Sequence, residues 1–281
     1  MAKRIRVVRV TFDRIDDDFV LTRNAPDRTA PLADKRIHLI GAGAVGSTLA
    51  DRLVQAGAGK GRGQFHIFDP DRLNPENLGR HLLGVTYLGL NKAEGVAHYL
   101  KRNRLAMNVK GHALSGAQAD MHRDADLVID ATSAPNIGAM LGNTARTLRR
   151  WSLMYVFVEG EGWVAGSYLY RGRAGEACRN CLEPWIGGTG SHVRKTYEPK
   201  PRDNGCGGSY TPYRAAAADI AAALASELAC DWATDSVVNR YRSVRLPNAP
   251  KHVRDGYYSS PQSKVDCICG EPQANSSAKK P

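Results

Sequence analysis

No stretch of the 281-residue sequence approaches the roughly 20 consecutive apolar residues that a membrane span needs. The N-terminus also lacks an apolar block. Charges thread Met1-Ala-Lys-Arg-Ile-Arg-Val-Val-Arg-Val10, so no secretory signal is expected and a cytoplasmic chain is. There is no internal repeat, and collagen-like, coiled-coil and wholly disordered architectures are excluded by composition. Aromatics are sparse at 7%. No basic helix carries a stacking motif, so the net charge of +11 does not by itself argue for a nucleic-acid partner. A polyphosphate site and an acidic protein partner would produce the same imbalance. Only six cysteines are present, and in a reducing compartment they point to metal binding or reactivity rather than disulfides.

What is present is an alternation of strands and helices. Residues 36–40, 64–69, 107–114, 126–130, 153–158 and 163–170 read as strands. Residues 45–56, 91–104, 135–150 and 213–229 read as helices, the last with Thr211-Pro212 as its opening and Ile220, Leu224 and Leu228 on one face. Its many alanines suggest close packing. Residues 4–12 alternate loosely, as an edge strand would, and Asp16–Asp18 and Asn24–Asp27 read as turns. The pattern predicts a Rossmann-like, doubly wound, mostly parallel α/β sheet. Three segments are expected: a lead-in over 1–36, a nucleotide-binding domain over 37–272, and a disordered tail over 273–281.

The clearest motif is Gly41-Ala-Gly43-Ala-Val-Gly46, between a strand and a helix. Glycines there let backbone approach phosphate, and the helix N-terminus presents free N–H groups. Asp69 ends the next strand, about where an acid would hold a ribose hydroxyl. A dinucleotide enzyme is the default reading of that much. The following residues favour a triphosphate instead. Asp69-Pro-Asp71 supplies a second acid, and Arg72, Arg80, Lys92, Lys101, Arg102 and Arg104 far outnumber Glu76 and Glu94. Asp130, ending a strand, stands where a Mg²⁺ ligand is useful, since Mg²⁺ favours one or two carboxylates plus phosphate oxygens. A solvated helix face is the plain alternative for Arg80 and Lys92, and a turn or cap the alternative for Asp71.

Cys178-Arg-Asn-Cys181 and Cys267-Ile-Cys269 are two thiol pairs from distant segments, able to close a tetrahedral Zn²⁺ site. The second pair is tighter than C-x-x-C, so Cys206 or a histidine is an alternative fourth ligand, and a redox pair is the alternative for Cys178 and Cys181. Cys206 sits among glycines in Asp203-Asn-Gly-Cys-Gly-Gly-Ser209, which suggests an exposed loop. Cys230, at the end of an apolar helix, reads as structural, and the eight histidines have no metal-ligand spacing.

Taken together, G-A-G-A-V-G-S, A-G-A-G, D-P-D, N-L-G-R-H, G-L-N-K and D-A-T, in that order over residues 36–269, resemble the ubiquitin-activating-enzyme superfamily, with its bacterial ThiF, MoeB and HesA proteins. The resemblance implies an ATP-dependent adenylating enzyme acting on the C-terminal glycine of a ubiquitin-like protein. It implies a phosphate loop at Gly41, Gly43 and Gly46, ribose contact by Asp69, phosphate contacts by Asn77, Arg80 and Lys92, Mg²⁺ on Asp130, and structural zinc on the cysteine pairs. A loop over about 185–212 would carry Cys206 as the thiol that takes the activated glycine into a thioester. A homodimer, a conjugating-enzyme acceptor and a bacterial ubiquitination-like setting such as antiphage defence are also implied. Arg14 or Arg23 would be the candidate for an arginine donated across such a dimer. His81 stands where the family usually has Gln. The rival readings are a sulfur-carrier adenylyltransferase of the thiamin or molybdopterin type, a peptide-modifying adenylating enzyme, an NAD-dependent oxidoreductase and a nucleotide-binding scaffold.

Overall fold

The computed structural model describes residues 8–104, 108–182, 192, 202–203, 209–264, 267 and 269. The chain divides into two compact units, residues 1–30 and 31–281. In the first, helix α1 (Asp17–Thr22) is capped by Asp16, whose carboxylate accepts from Phe19 N at 3.0 Å. Asp16–Asp18 thus open a helix instead of a turn, because the cap satisfies an otherwise orphaned N–H. Residues 8–12 form no strand, correcting the edge-strand expectation for that stretch. Arg14 is paired with Asp16 at 2.8 Å.

The second unit starts ahead of the expected boundary at 36, since Leu32 is fully buried in the main core. Its sheet is built from β1 (Ile37–Ile40), β2 (Phe65–Phe68), β3 (Val109–His112), β4 (Leu127–Asp130), β5 (Ser152–Glu159), β6 (Val164–Tyr170), β9 (Tyr241–Arg245) and β10 (Tyr258–Ser259). The strand order is β10-β9-β6-β5-β4-β1-β2-β3. The run from β3 to β5 is parallel, and β6, β9 and β10 are added antiparallel. A separate ribbon pairs β7 (Arg202–Asp203) with β8 (Ser209–Tyr210). The short apolar runs at β1 and β4 are buried throughout, as parallel strands covered on both faces must be.

Helices α2 (Ala44–Gln55), α3 (Lys92–Arg104) and α6 (Ala215–Ala233) share one core with Ile37, Leu39, Phe65, Ile67, Leu127 and Ile129. On the other face, α4 (Pro135–Leu148) and α5 (Arg179–Leu182) pack with Val128, Leu153, Tyr155, Tyr168 and Tyr241. The mostly parallel, doubly wound expectation is borne out, while β9 and β10 were not read from sequence. Helix α6 opens at Ala215 with Arg214 as the residue before it, so Thr211-Pro212 lies outside the helix. Its buried face is Ala217, Ala218, Ala221, Ala222, Ala225, Leu228 and Ala229. Ile220 and Leu224 are only partly buried, because small side chains let α6 approach its neighbours closely. No helix among the described residues is long and apolar enough to cross a membrane.

Candidate active site

The strand order reverses between β1 and β4, and open α/β sheets bind ligands in the crevice beyond the carboxyl ends of such strands. Gly41 leaves β1 at φ +90°, a backbone that an L side chain rarely adopts, and a Cβ there would meet the Ala131 and Thr132 backbone at 3.0 Å. A Cβ on Gly46 would lie 1.9 Å from Gly41 O, so the turn between them closes only without a side chain. Gly43 has nothing within 4 Å of its Cβ position. It precedes the first turn of α2, whose orphan N–H groups border an opening.

That opening is a cavity of about 600 Å³. Gly43, Ala44 and Val45 line it from the loop, Asn77, Arg80 and His81 from the segment after β2, and Lys92 from the start of α3. Ala131, Thr132 and Ser133 border it from the segment after β4, Val158 from the end of β5 and Gly160 from just beyond it, and Tyr210, Thr211 and Tyr213 from the approach to α6. Ser133 is held at φ +56°, a strained conformation for a non-glycine residue.

Two cations therefore share the cavity with the glycine loop. Lys92 Nζ is 3.0 Å from Asp71 Oδ2, and Arg80 stacks over the Tyr213 ring at 5.4 Å. Asp71 is exposed and ties back Lys92 instead of lining the cavity, a second role beside the turn reading. Asn77 lines the cavity while its Oδ1 accepts from Asn74 N at 3.0 Å, so the side chain also fixes a short 3₁₀ turn. Asp69 is buried under the loop. Its oxygens accept from Ala42 N at 2.7 Å and Asp71 N at 2.9 Å, and burial raises its pKa above the ordinary range against those bonds. Asp130 is also buried, and burial likewise raises its pKa. Its Oδ1 accepts from Thr132 N at 3.0 Å and Thr132 Oγ1 at 2.6 Å, while Oδ2 has no hydrogen-bond donor among the described residues. A buried carboxylate with one uncommitted oxygen is a donor set that fits a hard cation.

Several contributors were missed from sequence. His81 Nδ1 accepts from Leu83 N at 3.0 Å, so Nε2 carries the proton and donates to Ala42 O at 2.7 Å. Burial lowers its pKa to about 4. This side chain clamps the glycine loop through Ala42. Asn91 donates to Asp69 O and Asp71 O at 2.8 and 3.0 Å and accepts from Glu94 N at 3.0 Å, tying the acidic segment to the start of α3. Its signal was an Asn just before a helix.

Away from the cavity, Cys178, Cys181, Cys267 and Cys269 place their Sγ atoms within 4.8 Å of one another. Sγ separations of 4.0 Å (178–181), 3.5 Å (178–267) and 3.3 Å (181–269) are close to the roughly 3.8 Å edges of a tetrahedron with Zn–S bonds of about 2.3 Å. Lys264 N donates to Cys181 Sγ at 3.3 Å, as an outer-shell partner would. The cluster could hold zinc, and C-x-C supplies its half without a substitute ligand. Cys206 and most of the 185–212 loop lie outside the described residues, as does the 273–281 tail. Cys230 is not in the cluster and packs on the main core.

The model of the ThiF family matches residues 19–249. "ATP-dependent ubiquitin transferase-like protein Cap2" from Pseudomonas aeruginosa is 35% identical over 81% of this chain and 41% of its own length. The protein of that name from Vibrio cholerae is 34% identical over 88% of this chain and 42% of its own length. The chain thus spans about two fifths of these relatives. The structure titled "Crystal structure of E. coli MccB + ATP" superposes with a TM-score of 0.64 at 16% identity, covering 86% of this chain and 67% of that one.

Proposed function

Because this chain belongs to the ThiF family, we propose that it uses ATP to adenylate the C-terminal glycine of a ubiquitin-like protein in a bacterial ubiquitination-like pathway. The observation that carries the reading is the convergence of Arg80, Lys92 and the N-terminal turn of α2 on one cavity at the strand-order reversal. The pyrophosphate bridge of a nicotinamide dinucleotide at a helix N-terminus needs little side-chain charge, whereas a departing pyrophosphate develops more charge for cations to neutralise. In the reaction a carboxylate oxygen of the substrate attacks the α-phosphorus, an acyl-adenylate forms and pyrophosphate leaves. The α2 N–H groups and Gly43 cradle phosphate oxygens and Arg80 and Lys92 neutralise the leaving charge; Asp69, whose two oxygens rest on backbone N–H groups beside the cavity-lining residues, is the candidate to fix the ribose. Asp130, through Oδ2, would hold Mg²⁺, which screens phosphate charge when bound.

Cys206 is the candidate thiol for the following step, in which its sulfur replaces AMP on the glycine carbonyl to give a thioester. The acceptor beyond it would be a conjugating enzyme. A homodimer and a cytoplasmic location complete the reading. The test is ATP–pyrophosphate exchange in the presence of candidate glycine-ended proteins. Exchange should fall about 10²–10³-fold in Arg80→Ala with melting temperature unchanged. A melting shift with NAD and none with ATP·Mg²⁺ would overturn the reading.

A further inference from the structure

Arg179 stands between two clustered cysteines, and its side chain reaches along α4 toward Asp130. Its guanidinium lies over the Tyr155 ring at 5.3 Å, and Tyr155 OH donates to Gly138 O at 3.0 Å. Gly138 and Gly142, one turn apart on α4, open the trough that both side chains occupy. A Cβ on Gly142 would fall 2.6 Å from Tyr155 Oη and 3.5 Å from Arg179 Cβ. A Cβ on Gly138 would fall 2.8 Å from Arg179 Nη1 and 2.9 Å from Asp130 Oδ2. The guanidinium and the uncommitted carboxylate oxygen therefore meet across a bare glycine, within about 6 Å of each other, where charges in a partly buried site still interact strongly. Among the described residues no contact ion pair joins them, so Oδ2 stays open to another cation while it sits in the field of Arg179.

We infer that Arg179 is a positioning residue that guards Asp130: its charge balances the carboxylate in the nucleotide-free protein and repels a bare divalent cation, so that the cation enters only with nucleotide phosphates. The inference rests on the reading of Asp130 as the cation ligand. A lone carboxylate beside a guanidinium is a poor Mg²⁺ site, and the triphosphate supplies the negative charge that reverses the balance. A metal held by the flanking cysteines would fix the backbone from which Arg179 reaches.

The test is a titration of the full chain, zinc content verified, with Mn²⁺ followed by electron paramagnetic resonance, with and without a non-hydrolysable ATP analogue. The unsubstituted protein should take up Mn²⁺ in the site only with the analogue. Arg179→Gln should bind Mn²⁺ without nucleotide at least about tenfold more tightly, by the Coulomb term of one removed charge. Arg179→Lys should keep the exclusion, and Arg179→Gln with Asp130→Asn should lose the new uptake. Arg179→Met, whose apolar stem still packs on Tyr155, serves if the glutamine variant does not fold. Nucleotide-free uptake unchanged in both neutral variants overturns the inference. Asp130→Asn alone separates the two layers. If it leaves Mn²⁺·nucleotide binding intact, the Asp130 reading falls with the inference. If it weakens that binding while the Arg179 variants behave like the parent, only the inference falls.

Discussion

At the carboxyl ends of β1, β2 and β4, next to the residues that line an open cavity, polar side chains are fastened mainly by backbone groups: buried Asp69 by two N–H groups, buried Asp130 by the Thr132 N–H together with its hydroxyl, half-buried His81 by an N–H and a C=O. Along β1, β2 and β3 the opposite arrangement occurs. His38, His66, His112 and His122 gather on the sheet face that also carries Phe68, and they bond largely to one another. His122 Nε2 donates to Gly116 O at 2.8 Å, so His122 Nδ1 accepts from His38 Nδ1–H at 2.9 Å. His66 Nε2 donates to Gln64 Oε1 at 3.1 Å and its Nδ1 accepts from His112 at 3.1 Å. The bonding is complete only while every ring is neutral. Backbone-fastened polar groups keep their geometry as ligands arrive. A ring-to-ring network has no such reserve and couples the fold to protonation.

The largest effect that sharpens this contrast separates two glycines of one loop. Gly46→Ala drives a Cβ into Gly41 O, a backbone atom with no rotamer to relieve the overlap. Stability should drop by about 1–3 kcal/mol or more and nucleotide binding should be lost. Gly43→Ala meets nothing within 4 Å, and its φ of −71° suits alanine. Its melting temperature should stay within about 0.5 kcal/mol equivalent of the parent, while the methyl occupies the approach of a phosphate and nucleotide affinity falls. Thermal melts with and without ATP·Mg²⁺ separate the two. Equal melting of both variants would mean that the loop is not built as described.

The glycine loop between β1 and α2 was legible because its signal is local. Strand, glycines and helix are contiguous, and the acids and cations follow within one β–α–β passage. The cysteine pairs were legible as pairs, though only the fold brings residues 178–181 and 267–269 together. The histidine row was not legible, since its members come from separate elements and meet only through parallel register, His38 opposite His66 and Phe68 opposite His112. β9, Tyr-Arg-Ser-Val-Arg, hides as a strand because Arg242 is committed to Asp231 and Arg245 to Ala249 O, contacts that sequence does not announce. His81 read as a departure from the family pattern and turns out to hold the loop backbone, a role that depends on Ala42 being folded back to meet it.

The histidine row gives the next effect. Burial first, then His122 and His66, lower the His38 pKa to about 3, and His66, His112 and His122 are lowered too, burial leading in each. An unfolded histidine titrates near 6.5, so between about pH 6.5 and 3 the unfolded chain binds more protons. Stability is therefore complete above pH 6.5 and falls as pH drops through that window, by about 2–3 kcal/mol at pH 4 from His38 alone. His38→Phe removes that proton site and also the donor to His122. The variant should be about 1 kcal/mol less stable than the parent at pH 7 and more stable at pH 4. Denaturant melts across pH should give two stability curves that cross, and parallel curves would mean that His38 is not held neutral in the fold.

The smallest effect belongs to His81 at the open end of the sheet. Glutamine offers an amide NH2 and a carbonyl acceptor, which cover the one donor and one acceptor of neutral imidazole with Nε2 protonated and leave a second N–H over. His81→Gln can renew the bond to Ala42 O and, with a small adjustment, the one from Leu83 N. It should cost no more than about 1 kcal/mol and shift nucleotide affinity by less than about fivefold. His81→Leu leaves a buried C=O and an N–H unmatched and should cost about 1–3 kcal/mol, with a looser phosphate loop and weaker nucleotide binding. Because the pKa of His81 is lowered to about 4, neither difference should change between pH 6 and 8. If the glutamine and leucine variants behave alike in melting and in nucleotide titration, the ring only fills space. If glutamine alone matches the parent, the loop is held by a polar clamp whose donor, rather than whose ring, is what the site requires.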